Sequence, residues 1–168
     1  MQQAHDALAS ALLTASLDLG DVLDRLGAMM RALLDVDAIR IRLVERDGSL
    51  RLVASIGDVR CRESEDAGRR DGFAVAILKE RRTFAFRDAQ DDPAYTDQDR
   101  LRAEGVVSVL AVPMYIGDEG VGVVSCWSRA RRNWTADDVA LFETAARHAA
   151  VAIQNARLYE ASERRTRA

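Results

Sequence analysis

The chain has little of several things whose scarcity narrows its role. Cysteine is rare: in 168 residues there are two, Cys61 in a polar stretch and Cys126 inside an apolar one. Contexts so unlike argue against a structural disulfide and make a reducing cytoplasm the default expectation. Histidine is equally scarce, and neither His5 nor His148 has a histidine or cysteine partner at metal-ligand spacing, so no metal site is expected. Long apolar runs are missing as well. The longest, 73–78, falls far short of the ~20 residues that cross a bilayer, so no membrane association is expected. The first six residues lack a basic region leading into an apolar stretch, so no secretory signal is expected there. With a formal net charge of -3, no global field attracts nucleic acid. The one dense basic run, Arg129-Ala130-Arg131-Arg132, has no interleaved aromatics and reads as a solvated turn.

What is present is a 48% hydrophobic, 30% charged composition with two prolines, at a length suited to one globular domain. Leu8, Leu12, Leu13 and Leu17 recur at helical spacing in an alanine-rich background over 5–17. Asp18 is placed to cap a second helix, with Asp21 in its first turn, whose buried face carries Val22, Leu26, Met29, Met30 and Leu33. The period then changes. Ile39, Ile41 and Leu43 alternate with Arg40, Arg42 and Val44, predicting a strand; the Arg46-Asp47-Gly48 turn and the alternating Leu50, Leu52 and Ala54 complete a hairpin. Residues 57–71 are polar and read as a surface loop.

Gly72 opens a short buried helix over 73–78, ending in the charged run 79–82; 83–86 is a brief strand, and 88–99 a loop leading into a short helix to about Glu104. Val106 to Val112 is apolar on both alternations except for Ser108, which predicts a central strand covered on both faces. A Gly117–Gly120 turn joins it to a strand over 121–127. A long helix follows. Thr135 is its cap, Asp138 stands at the third helical position, and Trp134 can pack on Val139 as a staple. Phe142, Ala146, Ala149, Ile153 and Ala156 repeat at spacings of four and three, and the helix runs into charged residues by 163–167. This order suits an α+β fold, an antiparallel sheet with helices on both faces.

These pieces, in this order, resemble the GAF domain family. The stretches that carry the resemblance are Asp37–Val44 with the Asp47-Gly48 turn, Gly72-Phe73 through Ile77-Leu78 to Arg82-Thr83, Gly105–Met114, Gly120-Val121-Gly122 leading into the last strand, and Ala150–Tyr159 of the closing helix. The resemblance implies a six-stranded antiparallel sheet. One face would carry the first and last helices, and the other short helices over a small-molecule pocket. It divides the chain into a signalling or dimerisation helix at 1–17, a GAF domain at 18–160, and the start of a linker helix at 161–168. It further implies a sensor in a bacterial signal-transduction protein such as a two-component system, pairing as a homodimer and relaying ligand state to a kinase, cyclase or regulator output domain.

No catalytic residue emerges. A free methionine-sulfoxide reductase, the enzyme alternative in this family, needs a nucleophilic thiolate and a resolving cysteine beside one pocket, and the segment around Gly72 holds no cysteine. A covalent bilin would want a Cys-His pair, and the Asn-Lys-Phe-Asp-Glu signature of cyclic-nucleotide GAF domains is absent. No cofactor is required by this reading.

The site expectation rests on strand period. If Ile39, Ile41 and Leu43 pack on the terminal helices, Arg40 and Arg42 point to the opposite, pocket face. Buried guanidinium groups are costly unless paired. Either a ligand anion or an internal carboxylate should therefore meet them; the alternative is exposure at a sheet edge or bonding to Asp88 or Asp91. Asp88, Tyr95, Arg100, Ser108 and Ser125 are the further polar candidates, with Phe73, Ile77 and Trp127 as walls. The four-three spacing of the last helix fits a coiled-coil-like seam, with Leu8, Leu12, Phe142, Ile153 and Leu158 across a two-fold axis; the plainer reading is one helix packed on its own sheet. Two function classes follow, a ligand-binding regulatory module and a structural dimerisation module with a self-filled pocket.

Overall fold

The computed structural model describes residues 2–3, 18–57 and 72–168. The expected first helix over 5–17 with Leu8 and Leu12, the loop over 58–71 and Cys61 lie outside the described residues. From Asp18 onward the described residues form four helices and five strands: α1 (Leu19–Leu34), β1 (Ala38–Val44), β2 (Leu50–Gly57), α2 (Phe73–Glu80), β3 (Phe84–Phe86), α3 (Gln98–Glu104), β4 (Ser108–Ile116), β5 (Glu119–Ser128) and α4 (Ala136–Arg167). The strands form one antiparallel sheet in the order β2-β1-β5-β4-β3. Among the described residues the sheet has five strands, so the sixth that the resemblance implied is a correction; the residue pattern itself had pointed to five.

Two of the helix starts and one of the helix ends have a clear local cause. Asp18 accepts the Asp21 N–H at 3.1 Å, satisfying a donor that the first turn of α1 leaves open. Val22, Leu23, Leu26, Met30 and Leu34 then form the buried face. At α4 the Thr135 hydroxyl accepts the Asp138 N–H while the Asp138 carboxylate accepts the Thr135 N–H, both at 3.1 Å, a reciprocal capping box. The α3 helix closes on Gly105 at φ 71, a left-handed conformation that glycine adopts without strain. Its last helical residue, Glu104, is thereby fixed against the sheet.

The sheet separates two cores. Toward α1 and α4 it presents Ile39, Ile41 and Leu43 of β1, Leu110, Val112 and Met114 of β4, and Val124 and Cys126 of β5, against Met30, Phe142, Ala146 and Ile153. On the other face Ala38, Val109, Ala111, Val123 and Trp127 meet Phe73, Ile77, Phe84, Phe86, Tyr95 and Leu101 beneath α2 and α3. The expected alternation in β2 is broken by a bulge, with Ile41 facing Ala54 but Arg42 facing Leu52. The extra residue, Val53, places Leu50 with the second core and Ala54 with the first. Close approach also dictates sequence in β5, where a Cβ on Gly122 would stand 2.0 Å from the Arg42 carbonyl oxygen.

The four-three stripe of α4 serves this intrachain packing. Phe142 and Ile153, expected at a dimer interface, are 1% and 0% exposed in the core of their own domain. That expectation is corrected: the spacing reports the face laid on the sheet. The large exposed apolar residues of the described chain, Val151, Leu158 and Tyr159, lie on the opposite face of the same helix, so Leu158 alone of the described interface residues is accessible. The helix continues without a break through 161–167.

Candidate functional site

Period 2 carries Arg40 and Arg42 to the face away from α1 and α4, and the two guanidinium groups meet different fates. Arg40 is fully buried. Its Nη2 lies 3.0 Å from Glu104 Oε2, and its guanidinium stacks over the Trp127 ring at 4.1 Å from the centroid. A buried cation needs such compensation. Glu104 also lies 3.5 Å from Arg100 Nε, and Arg100 Nη1 is 4.0 Å from Asp97. An internal carboxylate therefore meets Arg40, the second of the two partners expected for it, and Arg40 is not among the residues that line the cavity. Glu104 was not anticipated, because nothing in its local spacing tied the end of a short helix to the middle of β1.

Arg42 instead lines a cavity of about 50 Å³ that opens toward solvent. Around it stand Tyr95, Asp97 and Arg100 from the loop and α3, Ser125 and Trp127 from β5, and Phe73 and Ile77 from α2. Val109, Ala111 and Val123 form its floor on the sheet, with Leu50, Gly72, Ala74 and Val75 at the margin. Seven of the expected site residues (Arg42, Phe73, Ile77, Tyr95, Arg100, Ser125 and Trp127) thus line one cavity.

Two do not. Ser108 shares its parity in β4 with Leu110 and Val112, which face the helices, and its hydroxyl donates to the Arg87 carbonyl at 2.5 Å and accepts the Arg132 N–H at 2.8 Å. Asp88 lies outside the cavity and accepts from Arg131 Nε and Nη2 at 3.1 and 2.5 Å. Asp91 is likewise engaged elsewhere, 3.8 Å from Arg102. The missed lining residues Val109, Ala111 and Val123 sit in runs that are apolar on both alternations, so the sequence carried no sign of which face each takes.

The polar groups of the cavity are held in set states. Trp127 Nε1 donates to Ser125 Oγ at 2.7 Å. Tyr95 packs against Phe73 and Phe86 at centroid distances of 4.6 and 5.6 Å. Burial pushes its phenol up to about 12, against an opposing pull from Arg42, so at neutral pH it is a hydrogen-bond donor. The roof is anchored at the far end of α2. There the Tyr115 hydroxyl donates to the Leu78 carbonyl, and Arg81 stacks over the Tyr115 ring at 4.4 Å.

The described cysteine does not face the cavity. Cys126 is fully buried on the helix side of the sheet, with the cavity on the other side, and burial raises its thiol well above the ordinary range. Among the described residues no cluster of three or more His, Cys, Asp or Glu could hold a metal ion, and no helix is long and apolar enough to cross a membrane.

A family model described as GAF domain matches residues 18–153. No curated protein matches the chain. Among solved structures, the GAF domain of a phosphoenolpyruvate-protein phosphotransferase from Coxiella burnetii is similar at a TM-score of 0.81 and 19% identity, over 95% of this chain and 96% of that one. A free methionine-R-sulfoxide reductase from Neisseria meningitidis, solved with its substrate, gives 0.74 at 16% identity, over 90% and 87%. The cyanobacteriochrome TePixJ GAF domain gives 0.68 at 21% identity, over 86% and 98%. At these identities the likeness is one of fold.

Proposed function

The chain belongs to the GAF domain family, and from that premise we propose that it is a small-molecule-sensing regulatory domain of a bacterial signal-transduction protein, with no chemistry of its own. One observation carries the reading: polar side chains from β1, β5, α3 and the loop before it converge with apolar ones on a single cavity under α2. Convergence of a few oriented polar groups on an apolar hollow is what ligand sites require. The reductase alternative is disfavoured by Cys126, whose buried thiol faces away from the cavity. That a sulfoxide reductase and a cyanobacteriochrome GAF domain share this fold fits a scaffold whose function lies in its site.

Relay to an output domain would run through α4, whose first turn is tied to the pocket side by Trp134 Nε1 donating to the Phe86 carbonyl at 3.0 Å. Pairing of two chains would use the outer face of α4, where Val151 and Leu158 are exposed. The Arg40–Glu104 pair favours the competing reading, a structural dimerisation module, only in part, because the described side chains leave the cavity beside it open.

Native mass spectrometry of freshly purified protein reads both halves of the proposal at once. The expected spectrum shows a dimer and a retained small molecule released on activation. A dimer with nothing retained, and no stabilising compound in a metabolite screen, would leave the structural module; a monomer at tens of micromolar would remove the pairing.

A further inference from the structure

Resting on the reading that this cavity takes a ligand, we propose that the ligand is a small uncharged molecule, an amide or alcohol with a short hydrocarbon part, because an ion of either sign meets a like charge already held in the lining. The guanidinium groups there are engaged within the chain. Arg100 lies 3.5 Å from Glu104 and 4.0 Å from Asp97, and Arg42 likewise interacts within the chain. An incoming anion must draw one of them from its present partner, with the Asp97 carboxylate standing in the same wall. The Arg100 side chain is only 11% exposed, and separating a largely buried pair leaves an uncompensated charge, a strongly destabilising change. An incoming cation instead meets Arg42 and Arg100. A charge taken out of water without a partner costs far more than an amide or a hydroxyl does.

The rest of the lining suits a neutral molecule. Tyr95 and Ser125 present hydroxyls, a group that both donates and accepts, and the Ser125 oxygen already takes the Trp127 N–H at 2.7 Å. Phe73, Ile77, Val109, Ala111 and Val123 supply apolar surface, which a hydrocarbon segment covers. Size sets the scale. A cavity of about 50 Å³, at roughly 10–15 Å³ for each water-sized occupant, has room for only a few heavy atoms.

The test uses two pairs of near-isosteres that differ in charge: propionamide against sodium propionate, and 1-propanol against propylammonium chloride. Each is titrated into the whole chain at neutral pH and constant ionic strength. Binding is read from the methyl signals of Ile77, Val109 and Val123, with Ile39 and Ile153 on the packed face as references. Propionamide and 1-propanol are expected to shift the first set, each binding roughly ten-fold or more tightly than its charged counterpart, a modest share of the cost of burying an unpaired charge. Asp97→Asn should narrow the margin of propionamide over propionate, and Arg100→Gln that of 1-propanol over propylammonium, since each removes the like charge that the ion meets. Equal or tighter binding of either ion by the wild type overturns the proposal. So does silence toward all four compounds, or an unchanged margin in a variant whose reference methyls stay in place. If all four are silent but native mass spectrometry finds another retained molecule, the neutral-ligand assignment falls and the sensing reading stands. If nothing is retained and nothing binds, both fall.

Discussion

The two faces of the sheet are built from the same five strands and have little else in common. Toward α1 and α4 the packed cluster consists of apolar side chains and the Cys126 thiol, with Ser108 buried at the same parity of β4, and the strand residues interlock with Met30, Phe142 and Ile153. Toward α2 and α3, the same strands supply Arg40, Arg42 and Ser125, an aromatic cluster gathers around Phe73, and a hollow remains. One face resembles a protein interior, packed and dry; the other keeps polar groups under a roof of two short helices. Alternating side chains let a single sheet do both, because each strand writes two independent sequences on its two sides.

That contrast can be broken most severely from the packed side. Phe142→Ala should cost about 3–5 kcal/mol through the cavity it leaves, measured by urea denaturation, without removing any lining residue of the pocket. A loss under 1 kcal/mol would mean that the helix face is loosely packed. On the opposite face, Glu104→Ala should cost roughly 3 kcal/mol, because the Arg40 cation stays buried after its 3.0 Å partner is gone. The double change Arg40→Met with Glu104→Ala should recover most of that loss; if it costs as much as the single change, the pair does not act as compensated charge.

The smallest expected effect sharpens the comparison at high pH. Tyr95 has its folded pKa raised to about 12 from 10.0. A raised pKa contributes stability that is complete below the unfolded value and is lost as pH climbs through the folded one. Wild-type stability should therefore decline between about pH 10 and 12 more steeply than that of Tyr95→Phe, which carries no phenol at that position. Parallel pH profiles for the two proteins would show that the ring ionises as easily in the folded chain as in the unfolded one.

Much of this was legible in the residues. Ile39, Ile41 and Leu43 set against Arg40 and Arg42 fixed which side of β1 is dry, since charge and aliphatic carbon alternate there without ambiguity. The capping box at Thr135 and Asp138 was readable because its spacing is local. Other features were not. Val109 to Val112 is apolar at every position, so period 2 has no contrast on which to act. The bulge at Val53 leaves no compositional mark, and the match of Glu104 to Arg40 is made only when α3 folds over the sheet. Ser108 and Asp88 were assigned to the pocket by chemistry alone, and parity and the nearby Arg131 place them elsewhere. The same applies to Phe142 and Ile153: a four-three stripe marks a buried face without saying whose surface buries it.

The central claim, that one face supports the fold while the other receives a small molecule, is tested most directly by methyl NMR on protein labelled at isoleucine, leucine and valine. A panel of small-molecule fragments should shift the methyl signals of Ile77, Val109 and Val123 and leave those of Ile39, Ile41 and Ile153 in place. Shifts confined to the second group, or no shift at any methyl, would contradict it.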